Sequence, residues 1–258
     1  MADPSAVRLG SILFSLVEPE RAHAVAFHRW YERDHFYAGM MSGPDLFAGR
    51  RWVATRDLKA LRYPEASPLT DELAAGSYAV TYWILAGRHQ PFVRWAVRRV
   101  HELYAERRMF PHARQVHTGF YSFRFAAPRD PDGVPPELAL DHPYMGLAAL
   151  VVDDARDPER LASWIERTQL PGTAAGQCLG FAPLPLPDDA PVNTPRLDVP
   201  ADRVLLLYFL DADPRESWAE LFAPASERLA AQGLGRVVYA APFIPTVPGT
   251  DRYADELW

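Results

Sequence analysis

The sequence predicts an α+β fold in which one small unit, with the element order β-α-β-β-α-β, occurs twice in a single chain. Three observations support this prediction. Strand-like and helix-like segments follow the same order in both halves of the 258 residues, prolines cluster between the halves, and the strands are apolar on both faces. A chain of this length is sufficient for one large domain or for two small units packed together.

The first unit follows from hydrophobic periodicity and from turn residues. Its strand-like segments are rich in β-branched and aromatic residues. Its second helix has Pro91 in the first turn and apolar residues at helical spacing. The predicted elements are, in order, strand 7–17, helix 19–41, strands 48–56 and 77–87, helix 91–110 and strand 114–126.

The second unit repeats this order after a proline-rich linker over 127–143. Its last helix contains Pro224, so we expect that helix to kink or break there. A further proline-rich stretch over 182–202 is predicted to be a long loop, and 241–258 an irregular tail. The predicted elements are strand 144–154, helix 158–170, strands 176–184 and 202–213, helix 214–232 and strand 235–243.

The strands also predict how the units pack together. Two tandem β-α-β-β-α-β units are two ferredoxin-like folds, each with a four-stranded antiparallel sheet and helices on one face. The strand over 77–87 is apolar at both parities, with Tyr82 on one face and Trp83 on the other, whereas a half-exposed strand alternates apolar and polar residues. Residues 1–128 and 143–258 are therefore predicted to form two repeats, packed sheet to sheet as an α/β barrel with the helices outside.

Composition and charge exclude several classes of function. The net charge of −6 argues against a nucleic-acid partner and against an anionic membrane surface. The single cysteine, Cys178, excludes an internal disulfide and a cysteine-based metal site. The N-terminus lacks the layout of a secretory signal and no apolar run is long enough to span a bilayer, so a cytoplasmic protein is expected. The sequence leaves open whether the chain forms a homo-oligomer.

Histidine is confined to the first part of the chain. All eight histidines lie within residues 1–142, and residues 143–258 contain none. Charge is also divided unevenly, with 18 Arg and Lys against 16 Asp and Glu in the first part and 9 against 17 in the second. Because histidine is the side chain best suited to move protons near neutral pH, we expect the functional site in the first repeat. The second repeat is expected to be degenerate and structural.

The stretch Phe27–Val53 carries the candidate catalytic residues. On a helical wheel, Tyr31 lies on the apolar side of the predicted helix, and His28 and His35 lie beside it at the border. An imidazole can act as a general acid or base, and a tyrosine hydroxyl can hydrogen-bond a developing oxyanion. We therefore predict His35 as the general acid/base, assisted by Tyr31 and His28, with Trp30 as a wall of the cavity.

Further substrate-binding candidates come from the strands. His117 and Tyr121 share one face of the strand over 114–126, and Gly119 between them leaves room above the sheet. These two residues are predicted to flank that space. Trp83, in the third strand of the first repeat, is predicted to form an apolar wall, although packing in the core explains it equally well.

Two consecutive arginines, Arg50 and Arg51, enter the strand over 48–56. Neighbouring residues of a strand point to opposite faces, so one of the two guanidinium groups has to be buried or in a cavity. A buried arginine needs an anion, which is a carboxylate either of the protein or of a ligand. Arg51 is included among the substrate-binding candidates, while the sequence leaves open which of the two faces the cavity.

The order of residues between Trp30 and Trp52 carries a family resemblance. It runs Trp-Tyr-Glu-Arg-Asp-His, then a Ser-Gly-Pro turn, then Gly-Arg-Arg-Trp. This order resembles the EthD-like branch of the dimeric α/β-barrel superfamily, here fused in tandem, although the turn is Gly43-Pro44 rather than Pro-Gly. The resemblance implies a cavity between sheet and helices in each unit, and it favours His35 over His28. Members include cofactor-free cyclases, lactone isomerases, small monooxygenases and haem-binding enzymes, so it implies no single reaction.

The leading hypothesis is a cofactor-independent enzyme of isomerase, cyclase or lyase type. His and Tyr acid-base chemistry would act on a hydrophobic, carbonyl-bearing small molecule of catabolism or secondary metabolism, with no metal and no cofactor. One alternative is a non-catalytic small-molecule binding protein. Another is a metal- or haem-dependent, oxygenase-like member of the superfamily. His28, Glu32 and His35 have a spacing at which zinc or iron ligation is geometrically feasible, but haem members tend to place the axial histidine in the repeat that here has none.

Overall fold

Eight strands form the framework of the protein. They are β1 (Leu9–Pro19), β2 (Leu46–Val53), β3 (Tyr78–Leu85), β4 (Ala113–Pro128), β5 (Gly146–Asp153), β6 (Ala175–Leu184), β7 (Val204–Leu210) and β8 (Arg236–Pro245). All pair antiparallel and close into one barrel, in the order β1-β3-β2-β8-β5-β7-β6-β4. The halves contribute β4-β1-β3-β2 and β8-β5-β7-β6, which is the same order twice. The predicted α+β fold of two ferredoxin-like units packed as an α/β barrel is therefore confirmed.

The computed structural model describes residues 7–190, 194 and 199–258. Residues 191–193 and 195–198, which belong to the predicted loop over 182–202, lie outside the described residues. Within the described part of the chain, no helix has the length and apolar character that crossing a bilayer requires.

Helices pack on the outer face of the sheets. The α-helices are α1 (Ala24–Trp30), α2 (Arg56–Lys59), α3 (His89–Ala105), α4 (Pro158–Trp164), α5 (Pro214–Ser217) and α6 (Ala225–Ala231). Short 3₁₀ turns cover Arg21–His23 and Pro136–Leu138. In the second repeat, Trp218 and Phe222 pack with Tyr208 in a core layer that is separate from the barrel interior. The break expected at Pro224 is confirmed, because α6 begins directly after it.

The helix predicted over 19–41 is not a uniform α-helix. After α1 the chain continues as a π-helical stretch, Tyr31–Met41, which we call the π segment. At its end the amide of Ser42 donates to the carbonyl of Tyr37, five residues earlier, at 2.9 Å. A π turn is wider than an α turn, so a wheel drawn at 100° per residue no longer applies beyond Trp30. Shorter π-helical stretches also follow α4 and α5, over Ile165–Gln169 and Trp218–Phe222.

The barrel interior is packed with aromatic side chains. Trp52 and Trp83 from the first repeat both contact Phe209 from the second, with ring centroids 6.2 and 6.4 Å apart. Trp83 also contacts Phe181, at 6.0 Å. All four side chains are fully buried. Because each sheet covers the inner face of the other, the strands are apolar on both faces, as the sequence indicated.

Two arginines hold loops against the ends of the barrel by hydrogen bonds to backbone carbonyls. At one end Arg62 is buried and donates to the carbonyls of Leu73, Ala75 and Gly76. At the other end Arg50 donates to three carbonyls of the linker between the repeats, those of Leu140, His142 and Tyr144. Arg50 therefore anchors the linker by hydrogen bonds. Arg51 is the more deeply buried member of the arginine pair, at 6% exposure.

A buried ion pair joins β5 to the start of β7. Arg203 donates from Nε to Oδ1 of Asp153 at 2.6 Å and from Nη2 to Oδ2 at 2.9 Å. Their side chains are 4% and 12% exposed. Arg236 also lies 3.9 Å from Oδ2 of Asp153 but is 63% exposed. Removing Arg203 therefore leaves the buried carboxylate with little compensation, which destabilises more than the loss of an exposed pair.

We predict that Arg203→Met lowers the free energy of unfolding by about 3–5 kcal/mol. Urea unfolding followed by circular dichroism provides the measurement. Arg215→Met, which breaks the more exposed pair with Asp213, serves as the control and should cost about 1 kcal/mol or less. The double variant Asp153→Leu/Arg203→Met should regain most of the loss. Equal losses in Arg203→Met and Arg215→Met would contradict the assignment.

Candidate functional site

A cavity of about 90 Å³ lies between the sheet of the first repeat and its helices. The polar side chains that line it include those of Tyr31, His35, Tyr82, Gln115 and Thr118. Apolar residues of β1, the π segment and α3 form much of the remaining wall, namely Leu13, Met40, Ala96, Val97 and Val100. This is the position that the family resemblance implied for a cavity.

His35 is held at the edge of this cavity by aromatic contacts. Its ring stacks on Trp30 with centroids 4.6 Å apart and meets Tyr31 edge to face at 5.0 Å. The side chain is 7% exposed, and Nδ1 has no hydrogen-bond partner among the described residues. A Cβ on Gly39 would lie 3.0 Å from Nδ1 and Cε1 of the ring. The glycine one turn later therefore makes room for the imidazole.

The imidazole of His35 is neutral at neutral pH. Burial lowers its pKa to about 4, against an ordinary value of 6.5. Asp34 partly opposes this shift, while Arg51 and Arg108 reinforce it. A neutral imidazole with an unpaired nitrogen has a free lone pair or N–H group, so it can exchange a hydrogen bond or a proton with a bound molecule.

Two tyrosines stand beside His35. The hydroxyl oxygens of Tyr31 and Tyr82 lie 3.5 Å apart. Burial raises the pKa of both phenols, so both remain protonated and able to donate. The guanidinium carbon of Arg51 lies 4.5 Å from the centroid of the Tyr31 ring, and this charge partly offsets the rise in the pKa of Tyr31.

His28 lies in a different environment from His35. It is fully buried, and its Nε2 lies 2.8 Å from the carbonyl oxygen of Thr250 and 3.2 Å from Oε1 of Glu32. Burial is the main cause that lowers the pKa of His28, and the charge of Arg51 adds to it. The predicted assistant of His35 therefore does not line the cavity, because the helix carries it towards the segment after β8.

Arg51 belongs to the same group as His28. Its Nη1 lies 3.5 Å from Oε1 of Glu32, but neither Nη atom has a hydrogen-bond partner among the described residues. The guanidinium lies between the rings of Tyr31 and Tyr78, with centroid distances of 4.5 and 5.1 Å. Arg51 is thus the buried member of the arginine pair, and it contacts the cavity through Tyr31 rather than directly.

Two other predicted site residues, Trp30 and Trp83, lie in different parts of the structure. Trp30 lies behind His35 and donates its Nε1 to the carbonyl of Arg108 at 2.8 Å. Trp83 points into the barrel, because alternate residues of β3 face opposite sides and its neighbour Tyr82 faces the helices. Tyr82 therefore lines the His35 cavity, and Trp83, which was predicted to do so, does not.

His117 and Tyr121 line a second pocket, of about 380 Å³, at the joint between β4 and β6. Nε2 of His117 lies 2.7 Å from the hydroxyl of Tyr121, and the pair bridges the space above Gly119. The three residues therefore lie together, and the binding of a substrate by His117 and Tyr121 stays a prediction. Both side chains lie on the same face of the sheet as Trp83, which is the face away from the helices. They therefore do not contact His35.

Sequence reasoning missed two parts of the site. Tyr82 was recognised only as an apolar strand residue, and the register that pairs it with Gly49 was needed to place it under the π segment. The segment after β8 was expected to be an irregular tail. In the structure its Gly249 amide donates to Glu32, and Asp251 pairs with Arg29 on the first helix. Nothing in the local sequence signals these contacts.

The residues around His35 and those of the second repeat do not fit the metal or haem alternatives. The described part of the chain does not gather His28, Glu32 and His35 into one ligand set. The second repeat has no histidine, and its space between sheet and helices is filled by Tyr208, Trp218 and Phe222, each at most 3% exposed. The cavity of about 90 Å³ beside His35 is far below the ~300 Å³ at which pockets for large ligands begin.

Comparison with known structures supports the ferredoxin-like fold. A structure provisionally described as a chlorite dismutase matches with a TM-score of 0.55 and 11% identity, over 97% of this chain and 100% of that chain. An anthrone oxidase-like protein matches with a TM-score of 0.52 and 8% identity, over 93% of this chain and 92% of that chain. No protein-family model and no curated protein matches the sequence. At these identities the likeness shows the fold alone, and the EthD-like branch stays a prediction.

Two of the buried histidines, His35 and His117, predict an acid-labile fold. Burial lowers the pKa of both His35 and His117 to about 4. The unfolded chain takes up a proton near the ordinary pKa of 6.5, but the folded chain does so only near 4, so stability rises with pH between these values. Each histidine should therefore remove on the order of 3 kcal/mol of stability between pH 6.5 and 4.

Urea unfolding at a series of pH values tests this prediction. His35→Gln and His117→Gln should each flatten the dependence of the unfolding free energy on pH, and the double variant should flatten it further. The single variants are compared with the wild type at pH 7, where neither histidine is charged, to separate packing effects from titration. A double variant with the full wild-type slope would contradict the assignment.

Proposed function

We propose that the first repeat is a cofactor-independent, small-molecule enzyme site in which neutral His35 accepts a proton from a hydrophobic, carbonyl-bearing substrate. The observation that carries this proposal is the convergence of a buried neutral imidazole and two protonated tyrosines on one cavity. Nδ1 of His35 has no hydrogen-bond partner among the described residues, so no hydrogen bond within the protein occupies that nitrogen.

The chemistry assigned to the site is proton abstraction next to a carbonyl group. The substrate C–H bond breaks, its proton passes to His35, and the electron pair moves into an enolate. The hydroxyls of Tyr31 and Tyr82 donate hydrogen bonds to the enolate oxygen, where negative charge develops. Return of the proton from His35 to the same or a neighbouring carbon completes an exchange or an isomerisation.

Arg51 is proposed to strengthen this arrangement without touching the substrate. Its positive charge lies against the Tyr31 ring and favours the ionised phenol, since it opposes the rise in the pKa of Tyr31. A phenol with a lower pKa is a stronger hydrogen-bond donor to an anionic oxygen. In this role Arg51 supports the site through Tyr31, and Trp30 supports it by fixing the ring plane of His35.

The size of the cavity restricts how a substrate binds. About 90 Å³ accommodates the carbonyl end of a small molecule and little more. The wall towards the surface includes Tyr104, Met109, Leu186 and Pro187, so the rest of the substrate would lie among mostly apolar groups. The similarity to an anthrone oxidase-like protein is consistent with an aromatic ketone as substrate, since an anthrone is one.

The second repeat, over 143–258, is proposed to act as a scaffold. It has no histidine, and the buried polar pair in which Tyr208 donates to Gln169 at 2.8 Å is enclosed by the apolar layer under α4. Its proposed contribution is to cover the inner face of the first sheet and to supply the segment that holds His28.

We predict that the wild-type protein catalyses exchange of the α-protons of 2-tetralone for deuterium in D₂O, measured by ¹H NMR. His35→Gln should lower the exchange rate by about 10²–10⁴-fold, and Tyr82→Phe by a smaller factor. Because the pKa of His35 is about 4, the rate should be level between pH 6 and 8 and fall as the pH approaches 4.

The control variant is His101→Gln, which replaces an exposed histidine on α3 and should exchange at the wild-type rate. Exchange at the wild-type rate in His35→Gln would exclude His35 as the base. Binding of 2-tetralone without any exchange by the wild type would favour the alternative of a non-catalytic binding protein.

Gly39 provides a steric test of the same site. Gly→Ala inside a helix usually stabilises by about 1 kcal/mol, but here the new Cβ would press on the His35 ring. We predict that Gly39→Ala gains little stability and lowers the exchange rate by about tenfold, because small displacements of catalytic groups are costly. Ala38→Gly, the reverse change at the preceding residue, should lose stability but keep the exchange rate.

A further inference from the structure

Three side chains with metal-ligating atoms meet where β1 ends and β4 begins. They are Glu20, His23 and His112, and one ligand atom of each lies within 4.8 Å of the others. Within the described residues this is the one group of His, Cys, Asp and Glu side chains so arranged. The group lies outside the His35 cavity, and it does not depend on the function proposed above.

The backbone fixes the relative positions of the three residues. The amide of Glu20 donates to the carbonyl of His112 at 2.9 Å, and the amide of His23 donates to the carbonyl of Glu20 at 2.8 Å. Directly beside them, Pro19 pairs with Ala113 in the β1–β4 ladder. The donor atoms are thus carried by three anchored positions, which reduces the entropy lost on binding an ion.

The side-chain geometry is close to that of a ligand set. Nδ1 of His112 lies 3.1 Å from Oε2 of Glu20, and Nε2 of His23 lies 3.9 Å from the same oxygen. Ligands at about 2.0–2.1 Å from a tetrahedral zinc ion are roughly 3.3 Å apart. The imidazole rings are stacked, 3.8 Å apart and 9° from parallel, and they have to tilt before both nitrogens face one ion. Exposures of 39% for His23 and 43% for His112 permit this rotation.

The chemistry of the donors selects the kind of ion. Two imidazole nitrogens and one carboxylate oxygen suit Zn²⁺ and other late first-row divalent ions, whereas Mg²⁺ and Ca²⁺ prefer sites made of oxygen. Three protein ligands leave a fourth position of a tetrahedral ion for water. We propose that Glu20, His23 and His112 form a zinc-binding site that links the end of β1, the 3₁₀ turn after it and the start of β4.

Occupation of this site restrains the wall of the His35 cavity. The ring centroid of Phe110 lies 6.1 Å from that of His112 and 5.5 Å from that of Trp30. Trp30 in turn stacks on His35. The preceding residue, Met109, lines the cavity. An ion that ties His112 to the other two ligands fixes the segment between α3 and β4, and so stabilises the fold against thermal unfolding.

Titration calorimetry of the full chain with ZnCl₂, together with thermal melting, tests the proposal. The wild type should bind one Zn²⁺ per chain and melt at a higher temperature in its presence, and MgCl₂ should give neither effect. His23→Ala, His112→Ala and Glu20→Gln should each weaken zinc binding by about tenfold or more and remove the shift in melting temperature. Because these side chains are exposed or half-buried, the variants should keep the fold, which circular dichroism checks.

His101→Ala removes another exposed histidine and is the matched control, expected to bind zinc as the wild type does. Zinc binding of unchanged affinity and stoichiometry in a His23→Ala/His112→Ala double variant would overturn the proposal. So would an equal rise in melting temperature with MgCl₂, because the ion would then not be selected by imidazole.

Discussion

The mutual covering of two sheets is the constraint on which the rest of the structure depends. Each sheet buries its inner face against the aromatic interior of the barrel and its outer face against helices, so polar groups between sheet and helix lose their contact with water. Burial then determines the protonation states of these groups. It keeps the imidazole of His35 neutral and the phenols of Tyr31 and Tyr82 protonated. One protein can therefore hold a base and two donors side by side without an ion pair between them.

The fold could be predicted from the sequence because its signals are local and repeated. Apolar periodicity, proline-rich boundaries and the doubled element order gave the strands, the barrel and the break at Pro224. The π segment could not be predicted in the same way. Its wider turns are defined by backbone hydrogen bonds such as that from Ser42 to Tyr37, and apolar periodicity alone does not distinguish them from α turns. This is why His28 and His35, expected side by side, lie in separate surroundings.

The candidate site was only partly predictable, for a related reason. Tyr31 and His35 are four residues apart on one helical stretch, so local geometry was enough to bring them together. Assigning Trp83, His117 and Tyr121 required the inner and outer faces of each strand to be distinguished. Alternation along a strand separates the two faces but does not identify them when both are apolar. Only the register between strands and the contacts across the barrel assign those three residues to the inner side.

The contact between His28 and the carbonyl of Thr250 joins residues 222 positions apart. The helix that carries His28 thus takes one of its hydrogen-bond acceptors from a segment that is synthesised 222 residues later. Until then the first repeat has to hold the buried imidazole of His28 and an open inner sheet face without their final cover. A contact between residues so far apart along the chain slows folding, because the long loop between them has to close first.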